Sequence, residues 1–123
     1  MRLSTRTEYA IDLLVALAKS DRKLSVKEMC TGTHMGPKYA EQIMRQLGAA
    51  RLVQSIRGVK GGYLLARSPQ KISLGEIIEV ADGQIMPDKN GASKSFAYVN
   101  KRVRKELCSY VGGLSLDDIV RHA

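Results

Sequence analysis

The sequence lacks long apolar runs. It contains no stretch of about 18 apolar residues, the minimum for a membrane-spanning helix. The apolar segment 11–18 follows Glu8 and includes Asp12, charges that a signal peptide would not tolerate. We therefore expect a cytoplasmic protein that has no membrane partner.

Cysteines and catalytic patterns are also scarce. The only cysteines, Cys30 and Cys108, lie far apart, and the other soft metal ligands are His34 and His122. This argues against a secreted disulfide scaffold and against a zinc site within one chain. No Ser/His/Asp constellation occurs, and the glycine-rich segment 58–62 lacks the Gly-Lys-Ser/Thr ending of a phosphate loop. We expect no enzymatic activity, no catalytic residue, no metal and no cofactor.

The positive charge is confined to one half of the chain, whose 123 residues carry a net +8. Residues 1–71 contain 13 Lys and Arg against 5 Asp and Glu, a net +8, whereas residues 72–123 contain 7 against 7, a net charge of 0. A basic half joined to a neutral half is typical of a polyanion-binding module with a second element attached. A solvated charged face is the plain alternative.

Capping boxes mark the first two helices of the basic half. In such a box, two side chains three residues apart satisfy backbone N–H groups at a helix start. Thr5 and Glu8 have this spacing, and the helix that they open should end near residues 19–21. Ser25 and Glu28 repeat the box and predict a short second helix.

The third helix has the composition of a DNA-recognition helix. A turn at residues 31–36 precedes Pro37, and proline is best tolerated in the first turn of a helix. The second and third helices therefore form a helix-turn-helix. One face of the third helix is apolar, with Ala40, Ile43, Met44 and Leu47. The opposite face carries side chains that bond to phosphates or base edges, namely Lys38, Glu41, Gln42, Arg45 and Gln46, with Tyr39 at the border.

A basic hairpin follows the third helix directly. Residues 51–57 and 63–66 have strand composition, and the segment between them supplies three glycines free to take positive φ angles, Gly58, Gly61 and Gly62. Arg57 and Lys60 flank this turn, where they suit a minor groove. A helix-turn-helix followed by a basic wing predicts binding to double-stranded DNA.

The neutral half is predicted to hold a linker helix, a loop and a long helix. A third capping box, Ser73 to Glu76, opens the linker helix, and residues 84–93 have loop composition. The long helix has a basic polar face at Lys101, Arg102, Arg104 and Lys105. Its apolar stripe consists of Phe96, Val99 or Asn100, Val103, Leu107, and Tyr110 or Val111. We expect this stripe to pair with its copy in a second subunit; packing onto the first helix is the alternative.

These elements predict a mostly α fold with a small β-hairpin. Residues 1–71 are assigned to a winged helix-turn-helix DNA-binding region, and residues 72–123 to a linker helix, a loop and a dimerisation helix. The length of the chain suits one compact domain overall.

Four segments of the chain resemble one family of small bacterial winged-helix repressors, which includes the iron-sulfur cluster regulator IscR, the nitric-oxide sensor NsrR and the cysteine-metabolism regulator CymR. The segments are residues 2–5 with Tyr9 and Ala10, residues 39–43, residues 57–66 and residues 72–78. The resemblance implies a homodimeric transcriptional repressor with crossed long helices. Each subunit would place its third helix in a major groove and its wing in a minor groove of palindromic promoter DNA.

The resemblance also implies roles for individual residues. Glu41 and Gln42 would face base edges, and Arg57, with Lys60 beside it, would enter the minor groove. The wing turn would be shaped by Gly58, Gly61 and Gly62, and the dimer helix would pair through Phe96, Val99, Val103 and Leu107. The DNA backbone would be contacted by Arg2, Ser4, Thr5, Lys38, Tyr39 and Arg45.

The chain departs from the family pattern in the segment before the long helix. Cluster-binding members carry three closely spaced cysteines there, whereas this chain has none between Gly83 and Phe96, so three thiolates cannot hold an iron-sulfur cluster. We expect control to be absent, to depend on a thiol, or to come from an unidentified small-molecule or protein effector. Cys108 is the candidate redox thiol, particularly if the dimer brings two copies together; a packed apolar role is the alternative.

Two other functions remain open for the basic surface. The chain could be a protein-interaction module that docks on a sulfur-metabolism enzyme or another partner, or it could bind structured RNA. Only DNA binding predicts a strong preference for one duplex sequence together with strong salt dependence.

Overall fold

In the computed structural model, which describes residues 2–123, six α-helices and one two-stranded hairpin form the fold. In chain order they are α1 (Thr5–Lys19), α2 (Val26–Cys30), α3 (Pro37–Ala49), β1 (Val53–Ile56), β2 (Gly62–Leu65), α4 (Leu74–Asp82), α5 (Lys94–Gly112) and α6 (Leu116–Arg121), with a 3-10 turn at Pro69–Lys71. The predicted winged helix-turn-helix with a long helix is confirmed. No helix formed by these residues is both long enough and apolar enough to cross a bilayer.

The hydrophobic core surrounds α1. Leu13 and Leu14 of α1 are fully buried, and the apolar face predicted for α3 packs in the same core. Ile77 of α4 and Leu116 of α6 join this cluster, so the two halves of the chain share one core. The two regions on either side of residue 71 are therefore not packed independently, and the functional division between them stays a prediction.

The start of α1 differs from the expectation by one residue. The cap is Ser4 rather than Thr5, and its hydroxyl accepts from the backbone N–H of Thr7 at 3.0 Å. The hydroxyls of Ser4 and of the fully buried Thr7 both donate to Oδ2 of Asp82 at 2.5 Å. This contact between α1 and the end of α4 favours Ser4 over Thr5 as the cap. The contact joins residues far apart in sequence, so a local sequence pattern could not predict it. The boxes predicted at Ser25 and Ser73 are confirmed, and Ser115 with Asp118 forms another.

The wing is anchored at its base by a third segment. Tyr63 of β2 pairs with Leu24 through two backbone hydrogen bonds, of 2.7 and 3.1 Å. Of the three wing glycines, only Gly58 has a positive φ, +124°. A Cβ on Gly61 would lie 2.5 Å from the carbonyl oxygen of Ile56, and a Cβ on Gly62 would lie 2.7 Å from that of Leu24. The expectation that all three glycines are needed for positive φ angles is therefore wrong for Gly61 and Gly62. These two positions need glycine because a side chain would collide with the neighbouring backbone.

The stripe predicted on α5 divides between two faces. Asn100 and Val111 are buried against the chain itself, whereas Val99 and Tyr110 are exposed, which settles both pairs that the sequence left open. The buried face packs on Leu74 of α4 and on the loop before α5, with Ile11 of α1 at the edge of that cluster. The buried face of α5 thus packs mainly onto α4, and α1, the expected alternative, contributes only Ile11 at the edge.

Arg104 does not belong to the solvent-facing basic surface expected for α5. Its Nη1 donates to the carbonyl oxygen of Met86 at 3.1 Å and to Oδ1 of Asp88 at 3.0 Å. Asn100 also donates to the Met86 carbonyl, at 3.3 Å, and to that of Pro87, at 3.4 Å. These bonds tie the loop before α5 to the helix.

Candidate nucleic-acid interface

The outward face of α3 is exposed to solvent. Lys38, Glu41, Gln42 and Arg45 are all exposed, as expected for residues that contact DNA. The N-cap residue of α3 is Gly36, which has no side chain to cap the helix, and the first turn contains no acidic residue. Backbone N–H groups and the positive end of the helix dipole are therefore available to a phosphate.

A residue missed by the sequence reasoning, Arg6, lies against this face. Its guanidinium donates to Oε1 of Gln46 and stacks 5.6 Å from the centroid of the Tyr39 ring. Tyr39 is half-buried and meets Tyr9 edge to face, with centroids 5.6 Å apart. No sequence pattern relates Arg6 to Gln46, because their proximity comes from the packing of α1 on α3.

The wing tip projects into solvent. Arg57 and Lys60 are exposed, in agreement with their expected position beside the turn. Val59 between them is fully exposed at 107%, an apolar side chain at the tip that the charge-based reasoning did not single out. An apolar side chain flanked by cations suits the floor of a minor groove, where such residues contact sugars and base steps.

Two further cations flank the wing. Arg22 and Lys23, just before α2, line the same groove as Val59 and Lys60. Arg22 donates to Oε2 of Glu28 at 2.6 Å. This bond, with a second one from the backbone N–H of Ser25, lowers the pKa of the Glu28 carboxyl to about 2.

The three residues expected to touch the DNA backbone near α1 occupy different surroundings. Thr5 is exposed. Ser4 already caps α1 and donates to Asp82. Arg2 is exposed and lines an apolar cleft of about 400 Å³ between the ends of α4 and α5. Their contacts with DNA stay predictions, and the surroundings favour Thr5 most.

The exposed face of α5 forms a separate apolar surface. Phe96 is 48% exposed, Val99 54%, Val103 40% and Tyr110 71%. Leu107, expected in the same stripe, is half-buried and packs partly against its own chain. A soluble protein rarely leaves such a continuous apolar strip uncovered.

Cys108 is exposed on the surface of its own chain, so it does not pack in the core of that chain. At 3.6 residues per turn it lies roughly 140° around α5 from Val103. Pairing two subunits through the stripe would hold the two Cys108 thiols apart, and a redox role for Cys108 stays a prediction. Cys30 is half-buried, and burial raises the pKa of its thiol.

The loop before α5 does not suit an iron-sulfur cluster or another metal. It contains no cysteine, and Asp88, its acidic residue, is paired with Arg104. Within residues 2–123, no three His, Cys, Asp or Glu side chains come together as metal ligands would. The loop is instead fixed to α5 by the hydrogen bonds from Asn100 and Arg104.

Comparison with known proteins agrees with this geometry. A family model described as Rrf2, iron-dependent transcriptional regulator, matches residues 3–122. The chain belongs to the Rrf2 family. It is 37% identical to the transcriptional regulator CymR of Bacillus subtilis over 99% of this chain and 91% of that protein.

Solved structures of Rrf2 proteins superpose on nearly the whole chain. The structure described as that of CymR, the global cysteine regulator of B. subtilis, gives a TM-score of 0.85 at 28% identity and covers 100% of this chain and 98% of that one. T. potens IscR gives 0.82 at 29% identity, covering 99% and 88%. The protein is thus a DNA-binding transcriptional regulator of the helix-turn-helix type and not an enzyme.

Proposed function

We propose that this Rrf2 protein is a homodimeric, sequence-specific transcriptional repressor that works without an iron-sulfur cluster. The observation that carries the proposal is the separation of two exposed surfaces on one core. The outward face of α3 and the wing tip are polar and basic, whereas α5 exposes an apolar stripe. The first surface suits DNA and the second suits another copy of the chain.

The dimer follows from the geometry of α5. The helix has 19 residues and is therefore about 28 Å long. Its exposed apolar residues recur at intervals of three, four and seven, namely Phe96, Val99, Val103 and Tyr110, the spacing of a helix-pairing seam. Arg102 and Glu106 border the groove along this seam and supply the polar rim that interfaces usually have.

Two copies related by a twofold axis would present two recognition helices to DNA. Such a dimer reads a palindromic site whose half-sites lie about 34 Å apart, one turn of the double helix, or a multiple of it. In each half-site we assign Glu41 and Gln42 to base edges and Arg57 to the minor groove. Lys38, Tyr39 and Arg45 hold α3 on the phosphates. Occupation of a promoter by this dimer would exclude the polymerase, which is the basis of repression.

The absence of cluster chemistry rests on the donor set of the loop before α5. Asn100 and Arg104 donate to the loop carbonyls of Met86 and Pro87, and no cysteine lies between Gly83 and Phe96. The regulatory signal is consequently assigned to a small-molecule or protein effector and not to iron.

The proposal is tested by selecting duplexes from a random library with the full-length protein and footprinting the selected site. We expect enrichment of one palindrome, protection of two half-sites on one face of the DNA, and a twofold molar ratio of protein to site. A reporter placed behind the selected site should be less active when the protein is expressed. Failure to enrich any sequence would contradict sequence-specific regulation. A stoichiometric protein partner retained at high salt would then support the protein-interaction alternative, and binding of structured RNA in preference to duplex would support the RNA alternative.

A further inference from the structure

One basic side chain of α1 is fastened to the outward face of α3. Nε of Arg6 donates to Oε1 of Gln46 at 3.1 Å, and Nη2 donates to the same oxygen. The guanidinium also lies over the Tyr39 ring, and Tyr9 meets that ring edge to face. Arg6 takes part in none of the four ion pairs of the described residues, so Gln46 and Tyr39 are what hold it.

The contact fixes the orientation of the Gln46 amide. A guanidinium has hydrogen-bond donors only, so the amide atom that faces it must be the oxygen. The NH2 group of Gln46 then points away from Arg6, and it has no hydrogen-bond acceptor within residues 2–123. An unrestrained glutamine at this exposed position could present either end to a ligand.

Gln46 lies on the same face of α3 as the residues assigned to DNA. It follows Gln42 by four residues, and side chains four apart are neighbours on one helix face. It is in the third turn of α3, whereas recognition helices usually contact bases through their N-terminal residues. Its outward NH2 group is therefore placed for an acceptor at the edge of the major groove.

We infer that Arg6 is a positioning residue for DNA recognition: by holding Oε1, it makes Gln46 present only donors, and these bind an acceptor oxygen of DNA. The inference rests on the proposed function and assigns a role to two residues beyond it. A phosphate oxygen is the acceptor that suits the third turn. A base acceptor has the same chemistry, and binding to two duplexes of different sequence distinguishes it from a phosphate.

The substitution Arg6→Lys separates a positioning role from an effect of charge. Arg6→Lys keeps the positive charge but loses the planar fork that grips Oε1 and stacks on Tyr39. If Arg6 acted as a free phosphate ligand, the substitution would change affinity little. If it acts through Gln46, affinity falls although the salt dependence, which counts neutralised phosphates, stays the same.

The experiment is a double-mutant cycle on the duplex selected by the wild-type protein. Full-length wild type, Arg6→Lys, Gln46→Ala and the double variant are titrated with that duplex and with a scrambled one, over a series of salt concentrations. We expect each single variant to bind roughly 3- to 10-fold more weakly, the effect of one hydrogen bond. The double variant should bind no more weakly than Gln46→Ala. Equal losses on both duplexes would identify a phosphate oxygen as the acceptor, and a loss confined to the selected duplex would identify a base.

A second measurement needs no DNA. The side-chain amide signals of Gln46 in the nitrogen–proton spectrum of the free protein should shift in Arg6→Lys, with the thermal midpoint nearly unchanged. Unshifted signals, or an Arg6→Lys loss that is the same with and without Gln46, would overturn the inference while leaving the proposed function intact. A wild-type protein that binds no duplex would overturn the proposed function, and this inference with it.

Discussion

The two halves of the molecule expose opposite kinds of surface although they share one core. Residues 2–71 turn charged and polar side chains outward on α3 and the wing, and they carry the whole net positive charge of the chain. Residues 72–123 have no net charge and expose the apolar stripe of α5. The proposed contact with DNA and the proposed contact with a second subunit therefore lie on separate surfaces, and each can be tested without disturbing the other.

The halves are nevertheless joined by specific polar contacts. Asp82 at the end of α4 accepts hydrogen bonds from Ser4 and Thr7 at the start of α1. In the first turn of α4, Glu76 pairs with Arg67 at 2.7 Å. A change in the position of α4 would therefore move the start of α1, because Asp82 is hydrogen-bonded to it. The start of α1 in turn contacts α3 through Arg6.

The largest effect is expected from a charge placed in the apolar stripe. Val103→Asp would put a carboxylate in the middle of the proposed seam, and the dimer should dissociate because an unpaired charge cannot be buried there. DNA affinity should then fall roughly 10²- to 10⁴-fold, the usual advantage of two linked sites. Sedimentation velocity and fluorescence anisotropy measure the two effects.

The matched control is Cys108→Asp, which adds the same charge to an exposed position on the other side of α5. It should leave both the dimer and DNA binding intact. If Cys108→Asp dissociated the protein and Val103→Asp did not, the stripe would be the wrong face.

A smaller effect is expected where the wing meets the helix-turn-helix. In Gly62→Ala the added Cβ would lie 2.7 Å from the carbonyl oxygen of Leu24, so the pairing between Leu24 and Tyr63 must yield. We expect a loss of about 3 kcal/mol in the free energy of unfolding, at the upper end of overpacking costs. Gly112→Ala is the control, because a Cβ there meets nothing within 4 Å. Equal stability of the two variants in chemical denaturation would show that the wing base is not tightly packed.

The contact of Asp82 with the start of α1 should contribute somewhat less to the free energy of unfolding. Asp82→Ala would leave the buried Thr7 hydroxyl without its acceptor, which costs about 2 kcal/mol. Asp88→Ala removes a carboxylate that is 84% exposed, and its pair with Arg104 should contribute no more than about 1 kcal/mol. Urea denaturation measures the free energy of unfolding of both variants. A larger loss for Asp88→Ala than for Asp82→Ala would contradict the stabilising role given to the contact between Asp82 and α1.

The smallest effect concerns acid sensitivity near the wing. Bonds from Arg22 and from the Ser25 N–H lower the pKa of Glu28 from 4.5 to about 2. A carboxyl whose pKa is lower in the folded state stabilises the fold above pH 4.5, and this contribution is lost as the pH falls toward about 2. The stability difference between wild type and Glu28→Gln should therefore shrink over that interval. A difference independent of pH would contradict the role of the ionised carboxylate.

Much of the fold could be predicted from local signals. The capping boxes at Ser25 and Ser73, Pro37 at the start of α3 and the glycine-rich hairpin depend on residues close together in sequence, and each was found as expected. The apolar set of α3 was likewise correct, because a period of 3.6 residues identifies a buried face directly.

The parts that could not be predicted depend on contacts between distant segments. Asp82 selected Ser4 over Thr5 as the cap of α1, and the loop carbonyls drew Arg104 away from the basic face of α5. The pairing of Arg6 with Gln46 has the same origin, since α1 and α3 meet only in the folded chain. The residues assigned to DNA bases and phosphates stay predictions, although the structure exposes most of them.

The most direct test of the separation between the halves is the salt dependence of DNA binding by two variants that each remove one positive charge. Arg57→Ala removes it from the wing, and Lys101→Ala removes it from the exposed polar side of α5. On the selected duplex, Arg57→Ala should cost about 1 to 3 kcal/mol and lower the slope of log K against log salt by about 0.9 for each phosphate that the variant no longer neutralises. Lys101→Ala should leave the affinity and the slope at the wild-type values. An equal loss of affinity in both variants would contradict the assignment of DNA binding to residues 2–71.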